Sequence, residues 1–156
     1  GCCPSPFDSY LMTLGLETLS LRVRHEVESA RRLAEYCRNH PKVERVSFVG
    51  FESHPSYANA KKYFRFGSSA VFTIELKGTL DSTVRFVESL NLAAHMVMIG
   101  DSVTVVTHPA STTHKQLGDA DLAAAGVTPT MLRISVGLEN TDDLIDDFEQ
   151  AFAHIG

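Results

Sequence analysis

The apolar positions of this chain follow two rhythms. From Phe7 to Cys37 they recur every three or four residues: Phe7, Tyr10, Leu11 and Leu14, then Leu19, Val23, Val27, Ala30, Ala34 and Cys37. That is the stripe of an amphipathic helix, and its other side, with Arg22, Glu26, Arg31, Arg32, Glu35 and Arg38, is expected to face water. Ser5-Pro6 supplies an N-cap and a first-turn proline, with Asp8 in the same turn, and His40-Pro41 supplies the stop. Gly15 permits a kink without ending the pattern. Residues 1–39 therefore read as one long connecting helix over about 6–39, reaching in from something upstream, and 40–156 as an α/β domain. The chain opens on Gly1 rather than methionine and carries no signal peptide, which reads as a chain entered in its middle.

Beyond His40 the rhythm shortens. Val43, Val46, Phe48 and Val49 predict a strand closed by Gly50, and Ala70, Phe72, Ile74 and Leu76 alternate as a half-buried strand. Between them Tyr57–Phe66 reads as a short basic helix broken by Gly67. Gly78-Thr79 opens a helix whose inner side is read as Leu80, Val84, Val87 and Leu90. Met96–Ile99 and Val103–Val106 predict two strands joined by Gly100-Asp101-Ser102, a hairpin turn. Asp119 is expected to cap an alanine-rich helix ended by Gly126. Thr141 is expected to cap the last helix, with Asp142 and Asp143 suiting its dipole. There Leu144, Ile145, Phe148 and Phe152 form the buried stripe, and Asp146, Asp147 and Glu149 the wet side.

The last strand candidate departs from this order. In Leu132-Arg133-Ile134-Ser135-Val136-Gly137-Leu138-Glu139 the four apolar residues share one face, which leaves Arg133, Ser135 and Gly137 on the other. If that second face is covered, an unpaired guanidinium there is costly and a carboxylate must meet it. If it is open, Arg133 is an ordinary solvated arginine, which the pattern alone favours. Four or five short strands with helices mainly on one face make a two-layer α/β sandwich, and alternating strands favour a mixed or mostly antiparallel sheet.

Composition narrows the partners. At 156 residues, 44% apolar and 21% charged, the chain can bury one domain's core. A net charge of −5 argues against a nucleic-acid partner, and no apolar run approaches the ~20 residues of a membrane span. Cys2, Cys3 and Cys37 form no disulfide framework, which suits the cytoplasm. Cys37 reads as core filler. His108 and His114 share a loop, but no third residue at ligand spacing completes a metal site. No phosphate loop, carboxylate pair or Ser-His-Asp signature stands out.

Four stretches together resemble a known family: Ser5-Pro6-Phe7 with Gly15-Leu16-Glu17-Thr18-Leu19-Ser20-Leu21-Arg22, Ala60-Lys61-Lys62-Tyr63, His108-Pro109-Ala110-Ser111-Thr112-Thr113-His114, and Arg133 through Glu139. They resemble the C-terminal part of the cysteine and methionine metabolism enzymes that use pyridoxal phosphate. Gly100-Asp101 and the doubled threonine point within that group to the O-acetylhomoserine sulfhydrylase branch. The resemblance implies the small C-terminal domain of a fold-type I enzyme, which closes over an amino-acid substrate. It implies homodimers paired into tetramers, and a γ-replacement in which sulfide displaces acetate to give homocysteine, a step of methionine biosynthesis. The same scaffold also serves cystathionine γ-synthases and γ-lyases, and an amino-acid-binding or dimerisation module without catalysis is a further alternative.

By the same resemblance Arg133 matches the arginine that grips the substrate α-carboxylate, with Ser111 and Thr113 in a supporting loop and Ser135 and Glu139 structural. Two departures follow. None of Lys42, Lys61, Lys62, Lys77 and Lys115 sits in a segment like the family's cofactor lysine. No catalytic residue is therefore assigned here, no cofactor is expected to be held covalently, and this piece alone is expected not to turn over without an N-terminal cofactor-binding domain. Where the family usually has Ser or Asn before Ile99-Gly100 this chain has Met98, which offers no side-chain hydrogen bond.

Overall fold

The computed structural model describes residues 2–155, so the reading placed on Gly1 lies outside the described residues. Its elements are α1 (Pro6–Glu17), α2 (Leu19–Asn39), β1 (Val43–Ser47), α3 (Tyr57–Tyr63), β2 (Val71–Leu76), α4 (Leu80–Glu88), β3 (Ala94–His95), β4 (Val105–Thr107), α5 (Asp119–Ala124), β5 (Met131–Ser135) and α6 (Thr141–Ala153). The strands form one mixed sheet in the order β1-β2-β5-β4-β3, antiparallel except where β3 runs parallel to β4. Against one face lie α2, α4 and α6, joined to the strands in a single core that holds Phe86, Leu132, Ile134, Phe148 and Phe152. This is the expected two-layer sandwich.

The single helix expected over 6–39 is two helices that meet at Thr18, not near Gly15. Arg22 explains how the break is tolerated. Its guanidinium donates to the Thr18 hydroxyl and to the Gly15 carbonyl, one of the carbonyls that a helix end leaves without a partner. The Ser5 cap is present as predicted, a reciprocal capping box with Asp8. The apolar stripe of α1 then meets nothing: Phe7, Tyr10, Leu11 and Leu14 are all exposed. Only the second half of α2 enters the core, through Ala30, Leu33, Ala34 and Cys37. Burial pushes the Cys37 thiol far above its ordinary range, so it behaves as the apolar filler expected.

Several local expectations are corrected. Glu26 and Asp147, placed by periodicity on wet sides, are buried. Asn140, not Thr141, caps α6 by accepting from the Asp142 N–H, and buried Thr141 instead donates to Ser29 Oγ at 2.9 Å, tying α6 to α2. Gly118 is the backbone N-cap of α5, and the side chain of Asp119 lies outside what is described. The inner side of α4 carries Ser82, Thr83, Phe86 and Val87, while Leu80 is exposed. The two hydroxyls tolerate burial because both donate to Thr79 O, at 2.8 and 3.0 Å.

The largest correction concerns the expected hairpin. Met96–Ile99 is not a strand, and β3, two residues long, ends just before it. The segment instead leaves the sheet edge and crosses the second face of β4 and β5. Three bonds pin it there: Thr107 Oγ1 donates to Met96 O at 2.6 Å, Arg133 Nη2 to Met98 O at 3.4 Å, and Gly100 N to Ser135 Oγ at 3.2 Å. Side chains of the sheet, rather than a partner strand, satisfy its backbone.

Candidate functional site: a guanidinium without an acid

The alternation of β5 puts Leu132 and Ile134 into the core and Arg133 and Ser135 on the second face. Pairing places Arg133 between Thr73 of β2 and Thr107 of β4, so a polar row crosses three strands. The crossing segment covers part of this row and leaves Arg133 half-buried. The face is partly covered and the arginine half-buried, yet the carboxylate that a covered face was expected to bring is not among its partners.

The partners of Arg133 are all neutral. Nη2 donates to Met98 O at 3.4 Å and to Thr107 Oγ1 at 3.3 Å. Nε is buried with no acceptor among the described residues, where the other such side-chain atom is Thr128 Oγ1. No carboxylate among the described residues pairs with this guanidinium, although Arg31, Arg32, Arg38 and Arg45 each have one. Half-buried arginines ordinarily take an acid, because leaving a donor unpaired costs about 1–3 kcal/mol. Arg133 thus keeps a charge that no acid among the described residues balances.

The end of β5 is closed just as firmly as Arg133 is open. Glu139 accepts from Thr104 N at 2.6 Å and from Thr104 Oγ1 at 2.7 Å, and Gly137 N donates to Thr104 Oγ1 at 2.9 Å. A Cβ on Gly137 would stand 2.5 Å from Ser102 O and from Val103 C, so only glycine lets the 102–104 backbone lie this close. Glu139 and Gly137 fasten the start of β4 to the end of β5, the structural part given to Glu139. Ser135 is likewise structural and holds Gly100.

The loop after β4 is locked around His108, which is 1% exposed. Pro129 O, 2.8 Å from His108 Nε2, can only accept, so Nε2 carries the proton and Nδ1 accepts from Ser111 Oγ at 2.8 Å. Burial pushes the His108 pKa down, against the pull of the Pro129 carbonyl, and the nearby His95 adds to the lowering. Thr112 Oγ1 donates to His108 O at 2.7 Å, and the Thr113 hydroxyl meets His114 Nδ1 at 2.8 Å. Of the predicted site residues, then, the structure gives Arg133 no hydrogen bond to Ser111 or Thr113. It gives one to Thr107, which the pattern did not single out. A threonine in a strand is unremarkable in sequence, and only the β4–β5 register sets it opposite the arginine.

The lysines are held by other groups or lie on the surface. Lys42 Nζ donates to Phe152 O and Ile155 O at the end of α6, Lys61 and Lys62 lie against the Tyr57 and Tyr63 rings, and Lys77 and Lys115 are exposed on the surface. Among the described residues no three His, Cys, Asp or Glu side chains gather as a metal site, and no helix is long and apolar enough to cross a membrane.

The family model of the Cys/Met metabolism PLP-dependent enzymes matches residues 1–153. The chain belongs to that family. It is 46% identical over 147 residues to the homocysteine synthase of Schizosaccharomyces pombe, covering 94% of this chain and 34% of that protein. It is 42% identical over 155 residues to the O-acetyl-L-homoserine sulfhydrylase of Corynebacterium glutamicum, covering 99% and 36%. In structure it superposes with a TM-score of 0.88, at 35% identity, on a Campylobacter jejuni chain described as an O-acetylhomoserine (thiol)-lyase that carries a pyridoxyl-lysine. That match covers 98% of this chain and 36% of the other. The chain thus spans about a third of the length of these family members. Its fold is that of a portion of a fold-type I enzyme.

Proposed function

We propose that this chain is the C-terminal, substrate-closing portion of a pyridoxal phosphate-dependent O-acetylhomoserine sulfhydrylase, which replaces acetate by sulfide to give homocysteine. Arg133 carries the reading: a half-buried guanidinium whose partners are all neutral, which leaves its charge for an incoming anion. A planar fork binds a carboxylate through two parallel bonds, which fixes the amino acid's α-carboxylate and with it the direction of the remaining Cα bonds. Ser111 supports the clamp at one remove, through the His108 that follows Thr107, and Thr113 is exposed on the same loop.

The cofactor and its lysine belong to an N-terminal domain of the complete enzyme, since the lysines here are engaged elsewhere or exposed on the surface. Residues 1–39 serve as the connector to it and 40–156 as the domain that closes. The uncovered apolar stripe of α1, with Phe7, Tyr10, Leu11 and Leu14, supports a larger body lying against this end. The complete enzyme works in the cytoplasm as a homo-oligomer, a compartment that suits the unbridged Cys2, Cys3 and Cys37.

Homocysteine formation from O-acetylhomoserine and sulfide by the complete enzyme tests the reading. Replacing sulfide with cysteine, and assaying oxobutyrate release, separates it from the γ-synthase and γ-lyase chemistries. An Arg133→Ala enzyme with unchanged KM for O-acetylhomoserine overturns the clamp.

A further inference from the structure

Thr107 is a polar residue in a place built for an apolar one. It ends β4 at 1% exposure, pairs with Arg133 across the sheet, and has a valine before it that is fully buried. Its hydroxyl has one proton and can accept from others. The proton goes to Met96 O at 2.6 Å, a short and therefore firm bond to a carbonyl that can only accept. What remains on Oγ1 is acceptor capacity, and Arg133 Nη2 uses it at 3.3 Å. The direction of this relay is thus forced from the Met96 end.

Met98 O, two residues along the same segment, takes the same nitrogen at 3.4 Å. One end of the guanidinium is therefore held by two acceptors whose positions are both set by the 96–98 backbone. Neither acceptor is charged, so the guanidinium is oriented without being neutralised and keeps its attraction for an incoming anion. The contact with Met98 is through the main chain, so it survives whatever side chain stands at that position.

We infer that Thr107 is a positioning residue for the carboxylate clamp: its hydroxyl couples the Met96–Met98 backbone to Arg133 and sets the plane in which the fork meets a substrate carboxylate. This rests on the clamp reading above. The hydroxyl, not the bulk of the side chain, does the positioning, so serine replaces threonine and valine does not.

The test uses the full-length enzyme with Thr107→Val, Thr107→Ser and Arg133→Ala side by side. Loss of one hydrogen bond to a charged group predicts that Thr107→Val raises KM for O-acetylhomoserine about tenfold with kcat within about twofold, while Thr107→Ser stays within about twofold of the parent. Inhibition by L-homoserine weakens to the same degree in Thr107→Val, whereas inhibition by L-homoserinamide, which lacks the carboxylate, does not change. Equal losses in Thr107→Val and Thr107→Ser overturn the inference, as does equal weakening of both inhibitors. If Arg133→Ala raises KM and Thr107→Val does not, the Thr107 inference fails and the clamp stands. If Arg133→Ala leaves KM unchanged, the clamp reading itself fails. Thr107→Ala, which removes the same hydroxyl without adding a methyl, carries the same prediction should the valine variant not fold.

Discussion

Two charged side chains, Asp147 on α6 and Arg133 on β5, sit in covered places, and they are treated in opposite ways. Asp147, 6% exposed, accepts from Asn91 N at 2.8 Å and from Leu92 N and Ala93 N at 3.0 Å each, with Gln150 Nε2 as a further donor at 3.1 Å. Its carboxylate acts as a cap for the turn that leads into β3. Arg133 has neutral partners on one nitrogen and none on Nε. A closed charge does structural work, because every bond it makes is made within the fold. An open one stores unused bonding capacity for something that arrives later.

The contrast breaks most readily at Arg133. In the complete enzyme Arg133→Ala should lower kcat/KM by several kcal/mol of binding, roughly a thousandfold, while leaving the melting temperature close to the parent's. A large loss of stability instead would place Arg133 in the same class as Asp147. Asp147→Asn tests the other side. Its amide turns an N–H toward backbone N–H groups, which should cost about 3 kcal/mol in denaturant unfolding and leave KM for O-acetylhomoserine unaltered. Gly137→Ala should cost about 2 kcal/mol by the same measurement, since the added Cβ meets backbone of residues 102–104 that cannot rotate away.

The smallest expected effect is on the pH dependence of stability. His108 titrates below its ordinary value in the fold because burial disfavours its charged form, and the half-buried His40, whose ring stacks on Phe152, does so for the same reason. The unfolded chain then binds more protons than the folded one as pH falls past the ordinary histidine pKa of 6.5. Stability is present above that pH and is lost as pH drops through and below it. Glu26 acts in the opposite sense. Burial, only partly offset by Arg22 and His25, raises its pKa above 4.5, so its ionisation costs stability as pH rises. Chemical denaturation from pH 8 to pH 5 should show the decline, and Glu26→Gln should be the more stable protein at pH 8.

The sequence by itself determined the layers and the family, and the order of elements apart from the division of the first helix and the place of β3. Periods of 3.6 and 2 are local properties, and they located the second half of the α2 stripe and the alternation of β2 and β5 correctly, because burying one face is what those periods are for, while Leu19 and Val23 of the same stripe are exposed. The alternation likewise set Arg133 on the second face of β5, where the structure has it. What the tertiary structure decided are the pairings that no local period encodes. Asp147 lies at a helical position that reads as wet, and only the arrival of the 91–93 turn makes it buried and satisfied. Met96–Ile99 has the apolar content of a strand, yet Thr107 and Arg133 take its carbonyls and Ser135 takes the N–H of Gly100 just after it. Thr107 carries no mark of its role until the register sets it opposite Arg133. The linear pattern records which residues prefer to be covered, whereas hydrogen bonds made across distant segments settle which of them are completed by the fold and which are left open.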